Sequence, residues 1–164
     1  MSNFLKLITR NGIIAALYVV LTFITYPISY GAIQVRLAEI MILLCFFRKD
    51  YVLGLTVGCC LANLGSSIPF DWLFGALATL IAGLAVGFCK HLVVAIFIPI
   101  IVNGFGVGLE LFLLLEMNFW VSVLYVAIGE AIVMVIAYVF FMIIKKRKSF
   151  YSLIRATQNI EFKM

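Results

Sequence analysis

Long apolar runs separated by short polar breaks dominate the pattern of residues along the chain. Residues 11–35 are 25 positions without a charge, and residues 51–70 are another 20. About 20 apolar residues are what an α-helix needs to cross the hydrocarbon core of a bilayer. The pattern therefore predicts an all-α integral membrane protein, with six transmembrane helices in one compact bundle. The predicted spans are about 11–28, 33–47, 51–67, 72–89, 92–115 and 120–144.

Basic residues are distributed unevenly among the polar breaks. Lys or Arg occurs in the N-terminal tail, the second and fourth breaks and the C-terminal tail, whereas the other breaks hold none if Arg36 is counted with the second span. Because Lys and Arg accumulate in cytoplasmic loops, this alternation predicts a multi-pass protein of the plasma membrane with both termini in the cytoplasm. Residues 1–148 are expected to form the membrane domain, and residues 149–164 a basic cytoplasmic tail.

Composition supports a lipid environment. Of the 164 residues, 66% are hydrophobic and 12% are charged, whereas a soluble domain is about half apolar and a quarter charged. These values exclude a soluble enzyme, a nucleic-acid-binding domain and a disordered chain. The net charge of +5 belongs to the tails, because residues 1–10 and 145–164 hold eight basic residues and one acidic residue. Basic clusters that flank apolar spans meet anionic lipid, so no nucleic-acid partner is expected.

Small residues recur at a four-residue spacing. In lipid, helices approach closely where small residues meet, so we expect three of these pairs to lie at contacts inside the bundle. They are Gly54-x-x-x-Gly58, Gly83-x-x-x-Gly87 and Gly104-x-x-x-Gly108. Gly12 and Ala16 repeat the spacing near the cytoplasmic end of the first span, where they are expected to form an exposed docking surface for another membrane subunit.

The residues of common catalytic and metal sites do not occur in the required arrangements. The four cysteines lie in apolar runs without Cys-x-x-Cys spacing, and the single histidine, His91, lies in a polar break. The sequence has no Gly-x-x-x-x-Gly-Lys-Ser/Thr phosphate loop. We therefore expect no metal, no cofactor and no enzymatic activity.

Four charged residues interrupt the apolar spans: Arg36, Glu39, Glu110 and Glu130. An ionised side chain near the bilayer centre costs about 2.5–3.5 kcal/mol, so each is expected to face the protein interior. At a rise of about 1.5 Å per residue, Glu39 and Glu110 lie about 9 Å, and Glu130 about 15 Å, from the outer ends of their helices. The three carboxyl groups can therefore share one chamber in the outer half of the bundle.

Arg36 and Glu39 are three residues apart and can pair on one helical face, which leaves Glu110 and Glu130 without a basic partner. Three interpretations of these two acids remain open: neutral carboxyls that hydrogen-bond between helices, a proton relay, and binding of a ligand rich in N–H donors. A carboxylate only accepts hydrogen bonds, so it suits a guanine-like edge or an amine. Residues that would complete the wall of such a site are Asn63, Asn103, Tyr125, Trp72 and Trp120.

Five blocks of sequence follow one another over about residues 10–140. They are Pro27-Ile-Ser-Tyr-Gly-Ala-Ile-Gln-Val-Arg36-Leu-Ala-Glu39, Gly58-Cys-Cys-Leu-Ala-Asn63-Leu, Phe74-Gly-Ala-Leu-Ala-Thr79-Leu, Val102-Asn103-Gly with Val107-Gly-Leu-Glu110-Leu, and Tyr125-Val-Ala-Ile-Gly-Glu130. In these blocks the chain resembles the QueT family, the queuosine-precursor S components of energy-coupling-factor transporters.

The resemblance implies a small substrate-binding subunit that captures a 7-deazaguanine base from outside. It also implies three partners, a transmembrane coupling subunit and two cytoplasmic ATPase subunits, which would bind the ATP. Members of the wider group dock through an Ala-x-x-x-Ala seam on the first helix, and here Gly12 and Ala16 hold those positions. The resemblance further implies a lid over the outer mouth, formed by Ser29, Tyr30, Gly31 and Gln34.

The expected roles of the site residues follow from the residue chemistry and the resemblance together. Glu130 or Glu110 would accept the guanidine edge of the ligand, and the other would bind its second polar end. Arg36 and Glu39 would form a supporting ion pair or contact a carbonyl. Asn63 and Asn103 would bond ring atoms, and Tyr125 or Trp72 would stack on the ring.

Two other functions compete with this interpretation. One is a solitary proton-coupled transporter that uses Glu110 and Glu130 as its relay. The other is a structural membrane subunit without a ligand, in which the carboxyl groups only link helices.

Overall fold

The computed structural model describes residues 3–30, 34–144, 147–154 and 156–157, and all regular secondary structure within them is helical. Four helices are long and apolar enough to cross a membrane. They are α1 (Asn3–Ile24), α5 (Asp71–Phe88), α6 (Leu92–Leu115) and α7 (Phe119–Ile144). The all-α fold expected from the apolar runs is thereby confirmed for the described residues, and the length and composition of these four helices fit a membrane protein.

The second and third predicted spans form helices that are shorter than expected. A 3-10 helix (Leu37–Leu43) continues into α3 (Leu44–Phe47), and together they make the central helix, Leu37–Phe47. The helix α4 (Tyr51–Asn63) has 13 residues, about 20 Å of helix against a hydrocarbon core of about 30 Å. Both helices shorten at the end of the bundle opposite the N-terminus, which is called the outer end because the sequence predicts that it faces outside. There the chain turns through a short helix α2 (Tyr26–Ser29) and through the loop at 64–70.

The central helix lies inside the bundle rather than against lipid. Eight of its residues are buried, and it contacts α1, α5 and α7. A helix enclosed by protein can carry polar side chains at membrane depth without exposing them to hydrocarbon. This position brings the charged residues at its outer end into the core.

Close helix contacts occur where the small-residue pairs were expected. A Cβ atom added to Gly54 would lie 2.6 Å from the Asn11 carbonyl oxygen of α1, and one on Gly108 would lie 2.6 Å from Val123 of α7. A Cβ atom on Gly83 would lie 2.8 Å from Val52 of α4. These glycines therefore permit backbone approaches that a larger residue would prevent, as the spacing predicted.

The C-terminal part of the described chain closes the inner end of the bundle. Helix α8 (Lys148–Leu153) places the Phe150 ring 5.7 Å from that of Phe47 and 5.8 Å from that of Phe141. The Tyr51 hydroxyl donates to the Ile154 carbonyl oxygen at 2.5 Å. The first residues of the predicted tail thus pack against the inner end of the central helix.

Candidate functional site

A small buried cavity lies where the central helix meets α5, α6 and α7. Its volume is about 10 Å³, which is room for about one water molecule. Five predicted site residues line it, namely Gln34, Arg36, Glu39, Asn103 and Glu130. Residues for which the sequence suggested no role in binding complete the wall: Gly75, Thr79, Val107 and Val126.

One oxygen of each of the two carboxyl groups at the cavity accepts a hydrogen bond. Asn103 Nδ2 donates to Glu130 Oε1 at 2.6 Å, and the hydroxyl of the fully buried Tyr18 donates to Glu39 Oε1. The other oxygen of each group, Glu39 Oε2 and Glu130 Oε2, is buried without a hydrogen-bond partner. Each acid therefore offers a spare acceptor in a place that water hardly reaches.

Arg36 is the basic residue of the cavity wall, but it does not pair directly with Glu39. Its Nη1 atom donates to Cys59 Sγ at 3.8 Å, and its guanidinium lies 5.4 Å from the centroid of the Tyr30 ring. Arg36 has an extended backbone and precedes the central helix, so the two residues do not share a helical face. Among the described residues, the ion pair within 4 Å joins Arg48 and Asp50.

Glu110 is fully buried on α6 but does not line this cavity. Both of its carboxyl oxygens lack a hydrogen-bond partner. Asn63 does not line the cavity either. Its Nδ2 atom donates to the Asp71 carbonyl oxygen at 3.1 Å. The structure thus brings Glu39 and Glu130 together at one cavity, and Glu110 lies outside its wall.

The aromatic residues expected to stack on a ligand lie on the outside of the bundle. Tyr125 is 40% exposed and Trp72 is 41% exposed, and neither lines the cavity. The buried aromatic residue beside the acids is Tyr18 instead. It lies in the middle of the first apolar run, where no local pattern distinguishes it from its neighbours.

The described residues of the segment expected to form a lid contact α4 and α7 beside the cavity. The Tyr30 hydroxyl donates to the Ala62 carbonyl oxygen at 2.6 Å, and burial raises the pKa of this phenol above its usual value. Ser29 is buried, with its hydroxyl 2.8 Å from that of Thr25. A Cβ atom on Gly129 would lie 2.5 Å from the Gln34 carbonyl oxygen, so this segment rests directly on α7. Gly31 lies outside the described residues.

Gln34 lines a second pocket as well. This outer pocket of about 150 Å³ lies between the segment and the loop after α4, and Tyr26, Tyr30 and Ser67 are among its other lining residues. Gln34 therefore borders both the outer pocket and the buried cavity.

The expected docking residues are exposed on α1. A Cβ atom on Gly12 would meet no other atom within 4 Å, and Ala16 is exposed. Gly12 lines an apolar groove of about 310 Å³ between α1 and α4, together with Ile8, Ala15 and Val57 among others.

Comparison with known proteins agrees with these features. The segment 8–146 matches the family described as QueT transporter. The Queuosine precursor transporter QueT of Lactococcus lactis subsp. cremoris (strain MG1363) is 41% identical over 76 residues, which cover 45% of this chain and 45% of that protein. No solved structure matches the chain. Because the family match spans most of an all-helical, apolar chain, the protein belongs to the QueT transporter family, whose members are membrane transporters rather than enzymes.

Proposed function

We propose that this protein is the substrate-binding subunit of an energy-coupling-factor importer and that it captures a 7-deazaguanine precursor of queuosine from outside the cell. The observation that carries the proposal is the convergence of Glu39, Glu130, Asn103 and Arg36 on one buried cavity. The name of the Lactococcus relative, a queuosine precursor transporter, supports the ligand class.

The free acceptors fit the hydrogen-bonding edge of a guanine-like base. Such a base presents a ring N–H and an amino group side by side, next to a carbonyl oxygen. Glu130 Oε2 and Glu39 Oε2 need donors, and in a low-dielectric site each charge-assisted bond is stronger than in water. Arg36 carries only donors and would bind the carbonyl oxygen. Asn103, which already donates to Glu130, would hold that carboxyl in place.

Entry of a base requires the walls to separate, because a cavity of about 10 Å³ does not hold a bicyclic ring. Gln34 borders both this cavity and the outer pocket, so movement of its segment would join the two. We therefore assign the lid to Ser29, Tyr30, Gly31 and Gln34, with Tyr30 as its closing contact to α4.

Six membrane crossings follow if the two short helices also traverse the bilayer. The inner turn between them lies beside the inner end of α5, since Lys49 Nζ is 3.7 Å from the centroid of the Phe88 ring. The outer end of α4 meets the start of α5, where Asn63 bonds to Asp71. The two ends of α4 thus lie beside the two ends of α5. If both short helices cross the bilayer, the number of crossings is even and both termini would lie in the cytoplasm.

The partners would be a transmembrane coupling subunit and two cytoplasmic ATPase subunits, which bind the ATP. Gly12 and Ala16 offer a small, exposed contact for the coupling subunit on α1. Gly12 lies in the first half of α1, whereas the lid segment follows the last residue of α1, so docking would not obstruct ligand entry.

The test is ligand binding by the purified full-length chain in lipid nanodiscs, measured by calorimetry with 7-deazaguanine bases. The variant Glu130→Gln keeps the shape of the side chain and removes its charge. It should weaken binding about 10- to 150-fold, the range for a lost hydrogen bond to a charged group. Glu116→Gln is the matched control, because Glu116 is exposed at the end of α6.

Failure of the wild-type chain to bind any of these bases would contradict the proposal, as would unchanged affinity in Glu130→Gln. Uptake by proteoliposomes that contain this chain alone, driven by a pH gradient, would instead support the solitary proton-coupled transporter.

A further inference from the structure

A buried tyrosine of the first helix bonds to an acid of the site from outside the cavity wall. The described residues that line the cavity belong to the central helix, the segment before it, α5, α6 and α7, whereas Tyr18 belongs to α1. The Tyr18 side chain has no exposed surface, and its hydroxyl donates to Glu39 Oε1. Tyr18 would therefore act on a ligand in the cavity through Glu39 rather than by direct contact.

A glycine of α4 leaves the space that the Tyr18 side chain needs. A Cβ atom added to Gly58 would lie 2.8 Å from Tyr18 Cβ and 3.0 Å from the Ala15 carbonyl oxygen. Helices α1 and α4 thus meet closely at this point, and the first atoms of the Tyr18 side chain lie directly against α4. Gly58 therefore permits the approach from which the Tyr18 hydroxyl reaches Glu39 on the central helix.

The bond from Tyr18 determines which oxygen of Glu39 is available to a ligand. A phenol has a single O–H donor, and here it is directed at Oε1. The other oxygen, Oε2, is buried without a hydrogen-bond partner, and Glu39 lines the cavity. Because the bond at Oε1 restricts rotation of the carboxyl group, Oε2 remains the acceptor that an N–H group of a ligand can use.

We infer that Tyr18 is a positioning residue of the substrate site: its hydroxyl orients the Glu39 carboxyl so that Oε2 accepts a hydrogen bond from the base. The inference rests on the proposed function, since it requires a ligand that donates to Glu39. A side chain that is already oriented loses less conformational freedom when the ligand binds. Removal of the hydroxyl should therefore weaken ligand binding.

The first test is Tyr18→Phe in the full-length chain in nanodiscs, with binding of 7-deazaguanine measured by calorimetry. The substitution keeps the ring and removes the hydroxyl. It should weaken binding about 2- to 12-fold, the range for one hydrogen bond. Gly83→Ala is the control for a general loss of stability, because its new Cβ atom would lie 2.8 Å from Val52 Cγ2, in the first turn of α4. It should leave the affinity within about twofold.

A double-mutant cycle with Glu39→Gln separates positioning from a merely structural role. In Glu39→Gln the amide oxygen would accept the bond from Tyr18, which places the amide NH₂ group where Oε2 was. That group would oppose the N–H donors of the base, since both sides then only donate. Adding Tyr18→Phe frees the amide to turn its oxygen toward the ligand. In this background Tyr18→Phe should therefore leave binding unchanged or strengthen it, in contrast to its effect in the wild-type chain.

Gly58→Ala is an independent variant that keeps the hydroxyl. Its methyl group would displace Tyr18 from α4 and so move the donor away from Glu39. Gly58→Ala and Gly83→Ala both overpack a helix contact, but only the first involves Tyr18. Gly58→Ala should therefore weaken binding more than Gly83→Ala does, and thermal unfolding of each variant shows that it is folded.

The outcomes separate this inference from the proposed function. Unchanged affinity in Tyr18→Phe, or an equal loss in the wild-type and Glu39→Gln backgrounds, would overturn the inference and leave the proposed function standing. If Tyr18→Phe does not fold, or if Glu39→Gln binds too weakly to measure, the comparison of Gly58→Ala with Gly83→Ala decides, and equal affinities would overturn the inference. If the wild-type chain does not bind the base, the proposed function fails and this inference fails with it.

Discussion

Tyr18 is the buried neighbour on which the Glu39 carboxyl depends. Its side chain is fully buried on α1, and its hydroxyl donates to Glu39 Oε1. The other oxygen of Glu39 has no partner. Removal of this hydroxyl would take away the donor to one oxygen of a buried carboxyl group, which costs more than the loss of a bond at a surface.

The variant Tyr18→Phe should therefore lower the free energy of unfolding by about 1–3 kcal/mol. Thermal or denaturant unfolding of the purified protein in one detergent measures the change. Tyr125→Phe removes the same atom from a side chain that is 40% exposed and should have little effect. Equal stability of the two variants would show that the Tyr18 hydroxyl does not support Glu39.

The positions of the charged residues allowed part of the site to be predicted residue by residue. Arg36, Glu39 and Glu130 are conspicuous because a charge in an apolar run is too costly to face lipid. The orientation of uncharged residues could not be predicted in the same way. In a membrane the lipid-facing and core-facing positions are both apolar, so the sequence carries no periodic signal that separates buried Tyr18 from exposed Tyr125 and Trp72.

The central helix begins later than the apolar run that contains it, and composition alone does not predict this late start. The apolar run over 33–47 predicts a continuous span, but Arg36 is extended and the next seven residues form a 3-10 helix. Such runs rarely exceed three or four residues and often mark a functional hinge. The polar breaks correctly predicted the inner ends of the two short helices. The late start of the central helix could not be predicted, because it depends on how the segment before Arg36 packs on α7.

The contact between that segment and α7 depends on the absence of a side chain at Gly129. In Gly129→Ala the new Cβ atom would lie 2.5 Å from the Gln34 carbonyl oxygen and 2.9 Å from its carbonyl carbon. Both are backbone atoms that cannot rotate away, so the segment must shift, and Gln34 moves out of the cavity wall. We expect a loss of about 1–3 kcal/mol in stability, as for other overpacked sites, together with weaker ligand binding.

Gly12→Ala is the control for this prediction. The same methyl group would meet no atom within 4 Å at that position, and replacing a helical glycine by alanine stabilises a helix by about 0.5–1 kcal/mol. The two substitutions should therefore change the melting temperature in opposite directions. A Gly129→Ala protein with wild-type stability and affinity would show that the segment does not rest on α7.

Among the described residues, the four long helices enclose the central helix and partly enclose α4. Its charge is arranged by level: the acids of the site lie toward the outer ends of the helices, and basic residues such as Lys49 and Arg147 lie at the inner end. The aromatic contacts of Phe47 with Phe141 and Phe150 fix the end of the central helix at the same level as the end of α7. This arrangement favours six crossings, because the turn at Lys49 then reaches the cytoplasmic surface.

Labelling of single cysteines from either side of the membrane tests the six crossings. In a background in which Cys60 and Cys89 are replaced by Ser, the buried Cys45 and Cys59 remain protected from a membrane-impermeant maleimide. Ser67→Cys, in the exposed loop after α4, should react in intact cells. Lys49→Cys and Ser149→Cys, also at exposed positions, should react only after permeabilisation. Both short helices must traverse the bilayer for this pattern to arise, since a central helix that stopped at mid-depth would leave position 49 unreactive from both sides. Reaction of Lys49→Cys in intact cells would likewise contradict the arrangement, because the basic end of the bundle would then face outward.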